Sequence, residues 1–137
     1  MPGLQITPTQ LKSMEAARLE YFRTDMVKHL REDVAGAFAK QSDQQLLAYI
    51  DKGIKRAQAY GATDNDAFGL FIMLMTELGD DFDSNPAYPW AKQGLSNTAV
   101  KDATVRIRNV VAACSFYLSN LSNDANETAT QSSGLGV

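Results

Sequence analysis

The stretch that most constrains this chain is Phe68 to Leu78, Phe-Gly-Leu-Phe-Ile-Met-Leu-Met-Thr-Glu-Leu. On a 3.6-residue period its apolar side chains leave almost no polar face, and a helix of that kind is stable only when other elements surround it. It falls well short of the roughly 20 apolar residues that a bilayer span takes. The segment therefore predicts a core helix at the centre of a bundle. Thr63-Asp64-Asn65-Asp66 precede it, with acids in the first turn where the helix dipole favours them. Gly79 suits its end, so the predicted helix covers about 64–78.

The flanking sequence supplies the surrounding helices. Thr7-Pro8-Thr9-Gln10 is a helix start, with Thr7 as cap, Pro8 at the first position and Gln10 three residues after the cap. Leu11, Glu15, Leu19, Phe22, Met26 and Leu30 follow at steps of three and four. The predicted helix covers about 8–32, and a continuation to Phe38 breaks near Gly36. Ser42-Asp43-Gln44-Gln45 is a second capping box. Leu46, Leu47, Ile50, Ile54 and Ala57 form the stripe behind it. Gly53 within that stripe predicts a tight helix crossing, because an interior glycine costs about 1 kcal/mol against alanine. Tyr60-Gly61 ends the element. A last long helix is capped by Ser96 or Thr98, with a stripe of Val100, Thr104, Ile107, Val111, Cys114 and Leu118.

No strand-like alternation of useful length appears. The expectation is an all-α fold, a compact bundle of about four to five helices around the central one. With 137 residues and a 45% apolar share, the chain has material for one core, so 1–121 is read as a single helical domain. Residues 122–137 are Asn, Asp, Thr, Ser and Gly with little to bury, and are expected to form a disordered tail.

Composition removes several functions. Net charge is −3, and between Arg56 and Lys92 there is no Lys or Arg, while six acids fall there: Asp64, Asp66, Glu77, Asp80, Asp81 and Asp83. A basic face for a phosphate backbone is missing, so nucleic acid is not an expected ligand. Met1 to Ile6 has neither a basic nor an apolar signal region, and no apolar run reaches membrane length. A cytoplasmic chain that does not enter the membrane is therefore expected. The lone Cys114 rules out an internal disulfide or a cysteine zinc cage and, among apolar neighbours, reads as a buried inert thiol. One histidine, His29, cannot supply a Ser-His-Asp set or a multi-histidine metal site. The glycines are too scattered for a phosphate cradle. No catalytic, cofactor or metal residue is assigned.

What remains is Gly79-Asp80-Asp81-Phe82-Asp83-Ser84-Asn85-Pro86-Ala87-Tyr88-Pro89-Trp90. It opens like a calcium loop, but Pro86 stands at the sixth position where glycine makes the turn. Lys92 stands at the twelfth, where a bidentate glutamate is needed. Two well-spaced carboxyl groups suffice for glycoside hydrolysis. The alternative reading is thus a small carboxylate-dependent hydrolase acting on peptidoglycan or another polysaccharide through Glu77, Asp80, Asp81 and Asp83. The aromatics suggest a different role. Phe82 and Trp90 are read as pointing inward, with Asp80, Asp81 and Tyr88 outward as a stiff anchor for a protein partner. The candidate protein-binding residues are Asp80, Asp81, Asp83, Tyr88 and Trp90.

The order Gly53-Ile54, Arg56-Ala57, Tyr60-Gly61, then Phe71-Ile72 and Leu74-Met75, then Gly79-x-Asp81-Phe82-Asp83 and Pro89-Trp90-Ala91 resembles small all-α bacterial proteins encoded near type VI secretion spike and effector genes. The resemblance covers roughly residues 6 to 110. It implies an accessory protein, an immunity protein or an effector adaptor or chaperone, whose partner is a secreted effector or a secretion component. It carries no catalytic residues, and the tail lies outside it.

Overall fold

The computed structural model describes the backbone of residues 7–34 and 36–135, and side chains as far as residue 122. Among the described residues there are five α-helices and no strand: α1 (Pro8–His29), α2 (Asp43–Ala59), α3 (Asn65–Leu78), α4 (Pro89–Leu95) and α5 (Ala103–Leu135). The all-α bundle expected from the sequence is the fold observed.

Local chemistry sets most of the helix starts. The Thr7 hydroxyl accepts the Gln10 N–H at 3.1 Å, while the Gln10 side chain accepts the Thr7 N–H at 2.9 Å. Ser42 and Gln45 repeat this reciprocal pair at 3.2 and 2.9 Å. Asp64 caps α3 by accepting the Ala67 N–H at 2.8 Å. Gly61 and Gly79 stop α2 and α3 with φ of +98° and +106°, a region that side chains with a Cβ rarely enter.

Packing centres on α3, although one face of it stays open, with Met73 45% exposed, so the expected covering on all sides is not complete. Phe71 and Ile72 are fully buried, and α2, α5 and α1 lie against it. The α2–α3 crossing falls at Gly53, where a Cβ would stand 2.6 Å from Ile72 Cγ1 and 3.1 Å from the Met75 sulfur. Gly53→Ala is therefore expected to destabilise the protein by about 1–2 kcal/mol, because overpacking outweighs the gain in helix propensity. Chemical denaturation measures this directly, and a more stable variant would contradict the tight crossing.

Three further expectations need correction. The first helix ends at His29, not near 32, and passes into a π-helical turn (Leu30–Val34) and a 3-10 turn (Gly36–Lys40). Arg31 holds this corner by donating to the Gln41 carbonyl at 3.0 Å and to the Asp43 carboxylate at 2.5 Å. The apolar stripe of α1 also reaches the core only from Leu19 onward, and Leu11 is exposed. Arg23 pairs with Asp51, and Arg31 with Asp43. In that antiparallel register the end of α2 lies level with Glu15, so the first two turns of α1 run past the end of α2.

The cap of the last helix is neither Ser96 nor Thr98. Asp102 starts α5, accepting the Thr104 N–H at 2.9 Å through its carboxylate and the Arg106 N–H at 3.1 Å through its carbonyl. Ser96 instead ends α4, a two-turn helix that the apolar pattern does not announce. Val100 lies before α5. The backbone of α5 is helical to Leu135. The tail expected from 122 lies, from residue 123 on, outside the residues whose side chains are described.

Candidate functional site

The Gly79–Trp90 segment is a chain of short turns. The Gly79 carbonyl accepts the Phe82 N–H at 3.2 Å, the Asp81 carbonyl accepts the Ser84 N–H at 2.9 Å, and the Asn85 carbonyl accepts the Tyr88 N–H at 3.0 Å. Inside these turns Phe82 is fully buried, its ring 5.0 Å from that of Phe71.

Arg56 of α2 holds the segment down. Its guanidinium carbon lies 5.3 Å from the Phe71 ring centre and 5.7 Å from that of Phe82, within cation–π range of both. The same group donates to the Asp80 carbonyl and to the Asp83 carboxylate. The other Asp83 oxygen accepts the Tyr60 hydroxyl at 2.7 Å. Lys92 closes the chain, its ammonium donating to Tyr60 Oη at 3.1 Å while lying 5.1 Å from the centre of that ring.

Two of the six acids in the middle of the sequence, Asp80 and Asp83, thus meet the protein's own basic residues. Asp83 was expected to face a partner, but its side chain is only 15% exposed and both of its oxygens are engaged. As a general base it would first have to leave Arg56. Asp80 stands 3.4 Å from Lys52 and is half-exposed. Asp81 is exposed. These three acids, with Lys52, Arg56 and Ser84, line one shallow cleft of about 380 Å³. Among the described residues, no group of three or more His, Cys, Asp or Glu side chains is arranged to hold a metal ion. None of their helices is long and apolar enough to cross a membrane.

Tyr88 and Trp90 belong to a second group. Phe82 points inward as expected, but Trp90 is only half-buried, and Tyr88 is half-buried beside it rather than wholly outward. Both rings meet Tyr117 of α5, with centre separations of 5.9 Å (Tyr88–Trp90), 5.5 Å (Tyr88–Tyr117) and 5.6 Å (Trp90–Tyr117). These are contact distances for edge-to-face aromatics, and the cluster fixes α4 against α5. The five candidate residues therefore form two neighbourhoods: acids beside α2, and aromatics beside α5.

Sequence reading missed Arg56 as the clamp, Tyr117 as the third ring, and Arg106. Arg106 donates to the carbonyls of Val100 at 2.5 Å, Lys101 at 3.2 Å and Tyr60 at 2.6 Å. Nothing in the local sequence of any of the three marks it, because each acts on at least one residue distant along the chain, Tyr60 in the case of Arg106.

The clamp has a titration signature. Burial, then the hydrogen bond to Asp83, raises the Tyr60 phenol above its ordinary value of 10.0. Tyr49, whose hydroxyl has no hydrogen-bond partner among the described residues, is raised by burial and then by the charge of Asp80. The folded state thus holds both phenolic protons more tightly than the unfolded chain. This contribution to stability is complete below about pH 10 and is lost as the pH climbs through the folded values. Tyrosinate absorbance should show Tyr49 and Tyr60 titrating above the ordinary phenol range, with unfolding on the alkaline side. All five tyrosines titrating together near pH 10 would contradict the burial.

No protein-family model matches the chain, and no curated protein or solved structure matches it either.

Proposed function

We propose that this chain is a non-enzymatic, cytoplasmic protein-binding accessory protein of a bacterial secretion or toxin locus, serving as an immunity protein or as an effector adaptor or chaperone. The observation that carries the reading is the Tyr88–Trp90–Tyr117 cluster, half-exposed on a segment that Arg56 and Phe82 pin to the bundle. Aromatic side chains on a rigid support offer large contact area at little ordering cost, which is the make-up of interface anchors. Asp80 and Asp81 lie apart from this cluster, beside α2, where Asp81 is exposed and Asp80 is shared with Lys52; they add a second, acidic patch that favours a basic partner surface. The nature of the locus rests on the motif resemblance from Gly53 to Ala91.

Co-expression with the products of neighbouring genes tests the proposal. A partner is expected to co-purify, and Trp90→Ala with Tyr117→Ala is expected to weaken binding about 30-fold or more, the loss of one anchor-type contact. An immunity protein protects cells from a co-expressed toxin. An adaptor raises effector loading without protecting. Recovery of no neighbouring product, or cell lysis by the chain when directed to the periplasm, would count against the reading. Lysis abolished by Asp80→Asn with Asp81→Asn would support the hydrolase instead.

A further inference from the structure

The central helix is not covered on all sides. Asp66, Gly69, Leu70, Met73 and Glu77 recur at steps of three and four along one face of α3, and Met73 is 45% exposed. Phe22 of α1 stands on one side of this face and Arg108 of α5 on the other, bounding a cleft of about 400 Å³ over Gly69, Leu70 and Met73. An apolar face left open along the most apolar helix of a small protein marks an interaction surface.

Gly69 sharpens this reading. Of the glycines inside helices, Gly53 and Gly94 are explained by their neighbours, since a Cβ at either would stand 2.6 Å from a packed side-chain carbon. At Gly69 the nearest atom to such a Cβ is a Phe22 ring carbon at an ordinary 3.5 Å. Alanine fits there and is the better helix former. The glycine therefore leaves a notch about one methyl group wide beside the Phe22 ring, of the kind that lets another backbone approach closely.

Charge selects the occupant. Asp66 at one end of the cleft and Glu77 one turn beyond Met73 flank the apolar centre, and neither has an ion-pair partner among the described residues; the one base among the lining residues, Arg108, stands at the α5 side. A second copy docked face to face about a two-fold axis would bring Asp66 against Glu77 twice, and like charges disfavour that arrangement. We infer that the α1–α3–α5 groove receives an amphipathic helix of a different protein. That helix has a small residue over Gly69, an apolar stripe along Leu70 and Met73, and Lys or Arg near both ends, about 16 Å apart. This face is separate from the aromatic cluster, and its test does not depend on the secretion-locus reading.

The full chain, labelled at its methionine methyl groups, is titrated with a synthetic helical peptide carrying an Ala/Leu stripe and lysines eleven residues apart. A control peptide carries glutamates in their place. The lysine peptide is expected to shift the Met73 methyl while the Met26 methyl stays in place, and to bind at least 10-fold more tightly than the control. Gly69→Leu, which fills the notch, and Asp66→Asn with Glu77→Gln, which removes the flanking charge, should each weaken binding at least 10-fold with melting temperatures near that of the parent. Should Gly69→Leu not fold, the charge pair still decides. A Met73 methyl unmoved at millimolar peptide would overturn the inference, as would equal binding of both peptides. A Met73 shift that grows with protein concentration alone would point to self-association and overturn it as well.

Discussion

Truncating Phe82 to alanine is expected to lower stability by about 3–5 kcal/mol, the range for a fully buried aromatic side chain. The ring has no exposed surface and sits 5.0 Å from Phe71, so its removal leaves a cavity beside the central helix. Arg56 simultaneously loses one of the two rings it lies over, which places the effect toward the upper end. For a chain of this size that corresponds to a melting temperature lower by roughly 10–20 °C. Phe116→Ala is the control: that ring is 69% exposed, and its loss is expected to change stability by less than about 0.5 kcal/mol. Equal effects at the two positions would mean that the segment is not packed as described.

The second large effect belongs to Arg106. Its guanidinium joins the last carbonyl region of α2, at Tyr60, to the loop that precedes α5, at Val100 and Lys101. A positive charge there also complements the helix dipole at the end of α2. Methionine keeps the stem and removes the donors, and Arg106→Met is expected to cost about 2–3 kcal/mol because partly buried carbonyls lose a charged donor. Lysine should recover little, since one ammonium cannot reproduce a planar fork that reaches two chain segments. Denaturant midpoints for the three proteins measure this. Full recovery by lysine would show that charge alone matters at this position.

The parts of the fold legible in the sequence are those decided locally. Thr7, Ser42 and Asp64 sit within three residues of the groups they cap, and the apolar run Phe68–Leu78 announces a core helix, though not the open face at Met73. Parts decided between elements were not legible. The start of α1 is apolar enough to predict core, but the register set by Arg23–Asp51 and Arg31–Asp43 runs it past the end of α2. Asp102 became the cap of α5 because the turn at Asn97–Lys101 delays the helix, a matter of loop geometry rather than pattern.

The candidate site divides in the same way. Charge segregation was visible in the absence of any base between Arg56 and Lys92. Which acid meets which base was not, because Arg56 and Asp83 are brought together only by the α2–α3 crossing at Gly53. Phe82 could be read as core from its setting. Trp90 could not be placed without Tyr117, which comes from another helix and holds the indole half-exposed.

The central claim is that Gly79–Trp90 is a clamped platform and not a loose acidic loop. Native-state amide hydrogen exchange of Phe82, Ser84 and Tyr88, whose N–H groups close the successive turns, tests it most directly. The clamp predicts that these three amides are strongly protected in the parent chain, and that Asp83→Asn, which weakens the hold of Arg56, speeds their exchange well beyond that of the α3 amides. Exchange at the rate of unstructured peptide in the parent, or no change in the variant, would contradict it.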